Sequence, residues 1–127
     1  MRRLVSAIVA AGLAAGPCLA DPPEQPFLDN CSACHQPTGL GVKGAFPALA
    51  GDPFVQHDAS PVVTVVLDGR GGMPRFADQL SDAEIAAILT YVRSAWGNRA
   101  GPVTAAQVAA DRAKPAAPAA MPGVQAH

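Results

Sequence analysis

Cys31-Ser32-Ala33-Cys34-His35 is the stretch on which the reading of this chain turns. Two thiols three residues apart, with a histidine directly after the second, form the five-residue pattern for covalent haem attachment. On one helical turn each thiol can add to a vinyl group of the porphyrin, which leaves the adjacent histidine beneath the iron as its proximal ligand. Two other uses of the pattern are a thiol redox pair and half of a zinc site. A redox dithiol belongs within an α/β domain, and no βαβ pattern is visible. A structural zinc site needs two further ligands at paired spacing, yet only His57 and His127 follow His35, and no cysteine does. The motif therefore predicts one haem c per chain, bonded to Cys31 and Cys34, with His35 on the iron.

A haem iron needs a sixth ligand or keeps an open position, and that choice separates carrying electrons from binding small molecules. The candidates are Met73, Met121, His57 and His127. Met121 and His127 fall in a terminal stretch of alanine and proline expected to be disordered, where no packing would hold them on a metal. His57 is flanked by polar groups and reads as a surface histidine. Met73 lies in Gly69-Arg70-Gly71-Gly72-Met73-Pro74-Arg75-Phe76, whose glycines allow close backbone approach and whose proline stiffens the exit. It is the expected distal ligand, against the general tendency of an isolated methionine to be a core gap-filler. A proximal histidine normally donates its other ring N–H to a fixed acceptor. The carbonyl of Pro47 is a candidate for that role, and a plain loop proline is the equally weighted alternative. Covering the haem falls to Phe46, Leu49, Val66, Leu67, Phe76, Ile85 and Leu89, any of which could instead pack only against protein.

Outward from the motif, residues 21–26 carry three prolines and read as an extended lead-in, so Pro26 is expected to cut the first helix short and leave residues 27–34 as a single brief helix. Residues 36–53 are rich in glycine and proline and form a long loop, of the kind that usually serves a site. Residues 62–68 are expected to be helical, with Ser60 as N-cap, Pro61 in the first turn and Gly69 as the stop, although the run of valines would suit a strand by propensity. The clearest element starts at Ser81-Asp82-Ala83-Glu84, a capping box flanked by a Leu80–Ile85 hydrophobic staple. Ile85, Ile88, Leu89, Val92 and Trp96 then recur on one helical face until Gly97. Thr104 and Gln107 cap a further short helix reaching about Arg112. From residue 114 to 127 a disordered tail is expected.

The N-terminus has the charge, apolar centre and small-residue ending of a secretory signal over residues 1–20, with cleavage after Ala20. The alternatives are a retained membrane anchor, for which an apolar stretch interrupted by Gly12, Gly16 and Pro17 is too short, and lipid attachment at Cys18, poorly matched by Ala15-Gly16-Pro17. Cleavage would remove Arg2 and Arg3 from nine Lys and Arg, leaving seven against ten Asp and Glu, near −3. Such a mildly acidic chain lacks the basic face that nucleic acid requires, and no second apolar run suits stable membrane insertion. The expected setting is the periplasm.

Taken in order, 31–35, Met73-Pro74-Arg75-Phe76 and the helix over 80–96 resemble the class I cytochrome c family across residues 27–98. Residues 44–53 and 91–98 are similar, more narrowly, to the haem domains of cytochrome subunits of bacterial membrane-linked alcohol, aldehyde and sugar dehydrogenases, as is the segment 103–112. Those subunits typically carry three such domains, and one attachment motif excludes a complete three-haem relay. The resemblance implies an all-α fold, a small cytochrome c fold of three to four helices wrapped around one covalently bound haem, here over 27–100 with a short helix at 101–113. It implies Met73 as distal ligand and the Pro47 carbonyl as partner of His35. It also implies a first helix crossing the last, a contact for which Phe27 is the available aromatic. The implied function is one-electron transfer without catalysis, in a monomer or small complex subunit placed between a dehydrogenase donor and a respiratory oxidase or cytochrome acceptor. A haem domain with an open distal site for a gas or peroxide is the rival reading.

Overall fold

The computed structural model describes residues 23–115; the expected signal at 1–20, Cys18, and the tail beyond Pro115 with Met121 and His127 lie outside them. The described chain is helical: α1 Gln25–Asn30, α2 Ser32–His35, α3 Pro53–Gln56, α4 Ala59–Asp68, α5 Asp82–Ser94 and α6 Ala105–Arg112. Extended pairing among these residues is confined to the isolated bridges Val42–Phe46 and Arg70–Met73. The all-α expectation holds, and the helix count rises to six because α2 and α3 are single turns of four residues each. None of the described helices is long and apolar enough to cross a membrane.

Helices this short are not stable alone in water, so burial has to hold them. One core cluster joins Val62, Val63 and Leu67 of α4, Ile85, Ala86 and Leu89 of α5, and Val103 and Val108 at α6. The 101–113 segment is thus part of the main core, with Val108 fully buried. A second cluster joins Phe27, Val55, Ile88 and Val92. Each large side chain so buried contributes about 1.5–3 kcal/mol.

Three boundaries differ from the sequence reading. The first helix is short as expected, six residues, but Pro26 lies inside its first turn, where its missing N–H has no helical partner to lose, rather than ahead of its start. The helix therefore begins at Gln25 and carries Phe27 into α5, with ring centroids 5.6 Å from Tyr91 and 5.1 Å from Trp96. The first and last haem-domain helices do meet, through an aromatic trio. In α4 the N-cap is Asp58, not Ser60. Ser60 lies inside the first turn because its hydroxyl is engaged elsewhere, donating to Asp111 Oδ1 of α6 at 2.7 Å. Finally, α5 starts with the expected capping box but ends at Ser94, two residues before Trp96. The Val92 carbonyl, which would accept from residue 96 in a continued helix, instead accepts from Asn98 Nδ2 at 2.8 Å. Trp96 then turns with φ 52°.

Candidate haem-binding site

The 31–35 motif occupies one tight turn. Cys31 N–H donates to Phe27 O at 2.8 Å, closing α1, and His35 N–H donates to Cys31 O at 3.0 Å, closing α2. Cys31 and Cys34 are half-buried and form no disulfide. Burial pushes the Cys31 thiol up to about 11, with the neighbouring Cys34 adding to the effect.

Directly after His35 the chain reverses at Gln36, with φ 64° and ψ 151°, a conformation that costs a non-glycine residue about 1–3 kcal/mol. The loop then folds back beneath the histidine. Gly41 N–H donates to His35 O at 2.9 Å, the amides of Leu49 and Ala50 both donate to Gly39 O, and Val42 N–H donates to Phe46 O at 2.8 Å. The result puts the Pro47 carbonyl oxygen 2.9 Å from His35 Nδ1. With the proton on Nδ1 this is a hydrogen bond that fixes the ring and leaves Nε2 for a metal. Gly41 is required here. Its φ is +62°, and a Cβ would lie 2.3 Å from Phe46 O and 2.5 Å from Pro47 O.

The end of α5 clamps this loop. Trp96 Nε1–H donates to Pro37 O at 3.1 Å, while Asn98 accepts from Gly51 N–H at 2.8 Å and donates to Leu49 O at 3.0 Å. Arg93, buried, donates from Nη1 to Val55 O at 2.6 Å and His57 O at 2.9 Å, and from Nε to Gly101 O at 2.9 Å. It ties α3 and the 101 segment to α5. The imidazole of His57 is exposed, and the only part of this residue that the tie uses is its carbonyl.

Met73, half-buried, closes a tight turn with Arg70: Met73 N–H donates to Arg70 O at 2.9 Å and Arg70 N–H to Met73 O at 3.3 Å. The Arg70 guanidinium stacks 5.0 Å over the Phe54 ring of α3. Past the turn, Phe76 and Ala77 amides donate to Val66 O and Leu67 O of α4 at 3.0 and 3.2 Å. Phe76 is buried, whereas Phe46 remains 41% exposed. Leu67, Ile85 and Leu89 pack in the protein core, and Leu49 and Val66 are partly buried against it.

The family described as "Cytochrome C oxidase, cbb3-type, subunit III" matches residues 19–92. The chain belongs to this cytochrome c family. Cytochrome c-552 of Thermus thermophilus is 33% identical, over 92% of this chain and 90% of its own length. The cytochrome c subunit of the quinone alcohol dehydrogenase of Gluconobacter oxydans is 37% identical over 65% of this chain. The chain spans 20% of that subunit's length and 23% of that of its Gluconacetobacter polyoxogenes counterpart. Among solved structures, cytochrome c6 of the diatom Phaeodactylum tricornutum matches with a TM-score of 0.50 at 32% identity, covering 58% of this chain and 90% of the cytochrome c6.

As a cytochrome c, the protein is an electron carrier whose cofactor is covalently bound haem c with iron. The residues present fit that group. Two unbridged thiols share one turn with an imidazole whose Nδ1 already has a partner. Nearby in sequence, Leu40, Val42, Phe46 and Phe54 are large, apolar and exposed, a surface suited to a flat apolar macrocycle. Sequence reasoning missed the clamps, namely Arg93 and Asn98, and also α3. The Asp52-Pro53 pair could have revealed α3, since Asp52 accepts from Phe54 and Val55 amides as N-cap and Pro53 fills the first position. No local signal marks Arg93 or Asn98, because their partners lie far away in the chain.

Proposed function

We propose that this cytochrome is a periplasmic one-electron shuttle whose single haem c, bonded to Cys31 and Cys34, is held between His35 and Met73. It would pass electrons from a dehydrogenase to a respiratory acceptor, as a monomer or small subunit, without catalysing a reaction itself. The observation that carries the reading is the 2.9 Å contact of His35 Nδ1 with the Pro47 carbonyl, which orients the imidazole through a loop fastened at both ends. When bound, haem would supply a ferric/ferrous couple, and His35 and Met73 together would hold it without leaving a site for substrate. The chain's own part is to keep the His35 ring in one tautomer, to present Met73 from a turn closed by Arg70, and to exclude water with Phe46 and Phe76. The dehydrogenase donor is inferred from the relatives that are dehydrogenase subunits, and the periplasm from the N-terminal signal pattern.

The test is an optical spectrum of protein matured with periplasmic haem-attachment machinery, ferric and then reduced, beside Met73→Ala. A weak far-red ferric band present in the parent and lost in the variant is expected. If the band is missing from the parent, or survives in the variant, Met73 is not the ligand. Rapid carbon monoxide binding by the ferrous parent at neutral pH would favour an open distal site instead.

A further inference from the structure

From just after Met73 to the first residue of α5 runs a strap, residues 76–82, that has little regular structure before Asp82. One edge of it is fixed by the backbone bonds of Phe76 and Ala77 to α4. The other is held by one side chain from α6, beyond the residues matched by the family. The Arg112 guanidinium donates from Nη1 to Ala77 O, from Nη2 to Leu80 O at 3.0 Å, and from Nε to Asp82 Oδ1 at 2.7 Å. Three donors in one rigid plane meet three acceptors spread over six residues, which only a guanidinium can do. The group is itself fixed, since α6 is anchored by the fully buried Val108 and by Asp111 on Ser60 of α4.

We propose that Arg112 is a positioning residue for Met73: by fastening the 76–82 strap it sets how firmly the distal ligand is held. The proposal rests on the Met73 ligation proposed above. An exogenous ligand such as imidazole binds the ferric iron only when Met73 is off, so its apparent affinity reads the population of that open state. Removing charge-assisted hydrogen bonds from the strap should raise that population about tenfold.

The experiment is imidazole titration of the ferric holoprotein at neutral pH, well below the melting temperature, followed by loss of the far-red band. Arg112→Ala is expected to bind imidazole about tenfold more tightly than the parent. Ile88→Ala lowers the melting temperature by opening the second core cluster, which α6 does not join, so it leaves the three bonds in place and should bind imidazole within about twofold of the parent. Arg112→Lys keeps charge and stem but cannot reach three acceptors, so it should fall between; if Arg112→Ala does not fold, this variant decides. Parent-like affinity in the Arg112 variants overturns the proposal, as does an equal gain in Ile88→Ala, which would make it general destabilisation. A parent with no far-red band overturns the ligation and this inference together, and so is told apart from failure of the strap alone.

Discussion

At the scale of single residues, the site depends on how closely the backbone can approach itself. Gly41 and Gly44 lie three residues apart in the same loop, both in the left-handed region at φ +62° and +80°. A side chain at Gly44 would meet nothing within 4 Å, whereas one at Gly41 would strike the Phe46 and Pro47 carbonyls. Alanine at Gly44 should therefore cost only the backbone strain, about 1 kcal/mol. Alanine at Gly41 adds the clash and pushes the His35 acceptor away, so roughly 3 kcal/mol is expected. Guanidinium melts of the two ferric variants check this, and equal losses would mean that the loop does not close on His35 through Pro47. The motif at 31–35 was legible because its chemistry is local. Pro47 was legible only as one of two readings, since a proline carbonyl is unremarkable until the loop's path is known. The crowding at Gly41 was not legible at all, because it exists only once residues 46 and 47 return.

Helix boundaries set by bonds within the element were easier to read than those set from outside it. The capping boxes at Ser81 and Thr104 satisfy backbone donors within four residues, and both are present as expected. The start of α4 and the end of α5 depend on partners outside the helix, Asp111 for Ser60 and Asn98 for the Val92 carbonyl, so local rules put both two residues out. Asp111 also makes the α4–α6 junction sensitive to acid. Burial raises its carboxyl, but hydrogen bonds from Lys114 and Ser60, with the Lys114 charge, outweigh that and hold it below its ordinary value of 3.8. A carboxyl lowered on folding stabilises the protein above its unfolded value, and the contribution is lost as pH falls through the folded value. Asp111→Asn should thus be less stable than the parent at neutral pH, with the gap narrowing as pH falls below 3.8 and through the lower folded value. Thermal melts across that range test it, and a gap that stays constant with pH would show that the ionised form of Asp111 contributes nothing.

At the scale of the whole described chain, residues 23–115, two modest clusters must stabilise six helices, two of which are single turns. The aromatic trio of Phe27, Tyr91 and Trp96 locks α1 to α5, and Arg112 locks the Met73 strap to α6, yet the long loop between α2 and α3 has no cluster of its own. That loop instead carries Leu40 at 64% exposure, with Val42 at 40% and Phe46 at 41%. Covering such groups is worth about 25 cal/mol per Å2, and a small domain with a margin of only a few kcal/mol depends on that gain. Binding only the folded state, the macrocycle would add stability that the unfolded chain cannot share. A Cys31→Ser/Cys34→Ser double variant, made without haem attachment, is therefore expected to lose the cooperative melt and most of the helical circular dichroism of the holoprotein. A native-like helical spectrum with a sharp transition would mean that the two protein clusters suffice, and that the fold positions its cofactor without depending on it.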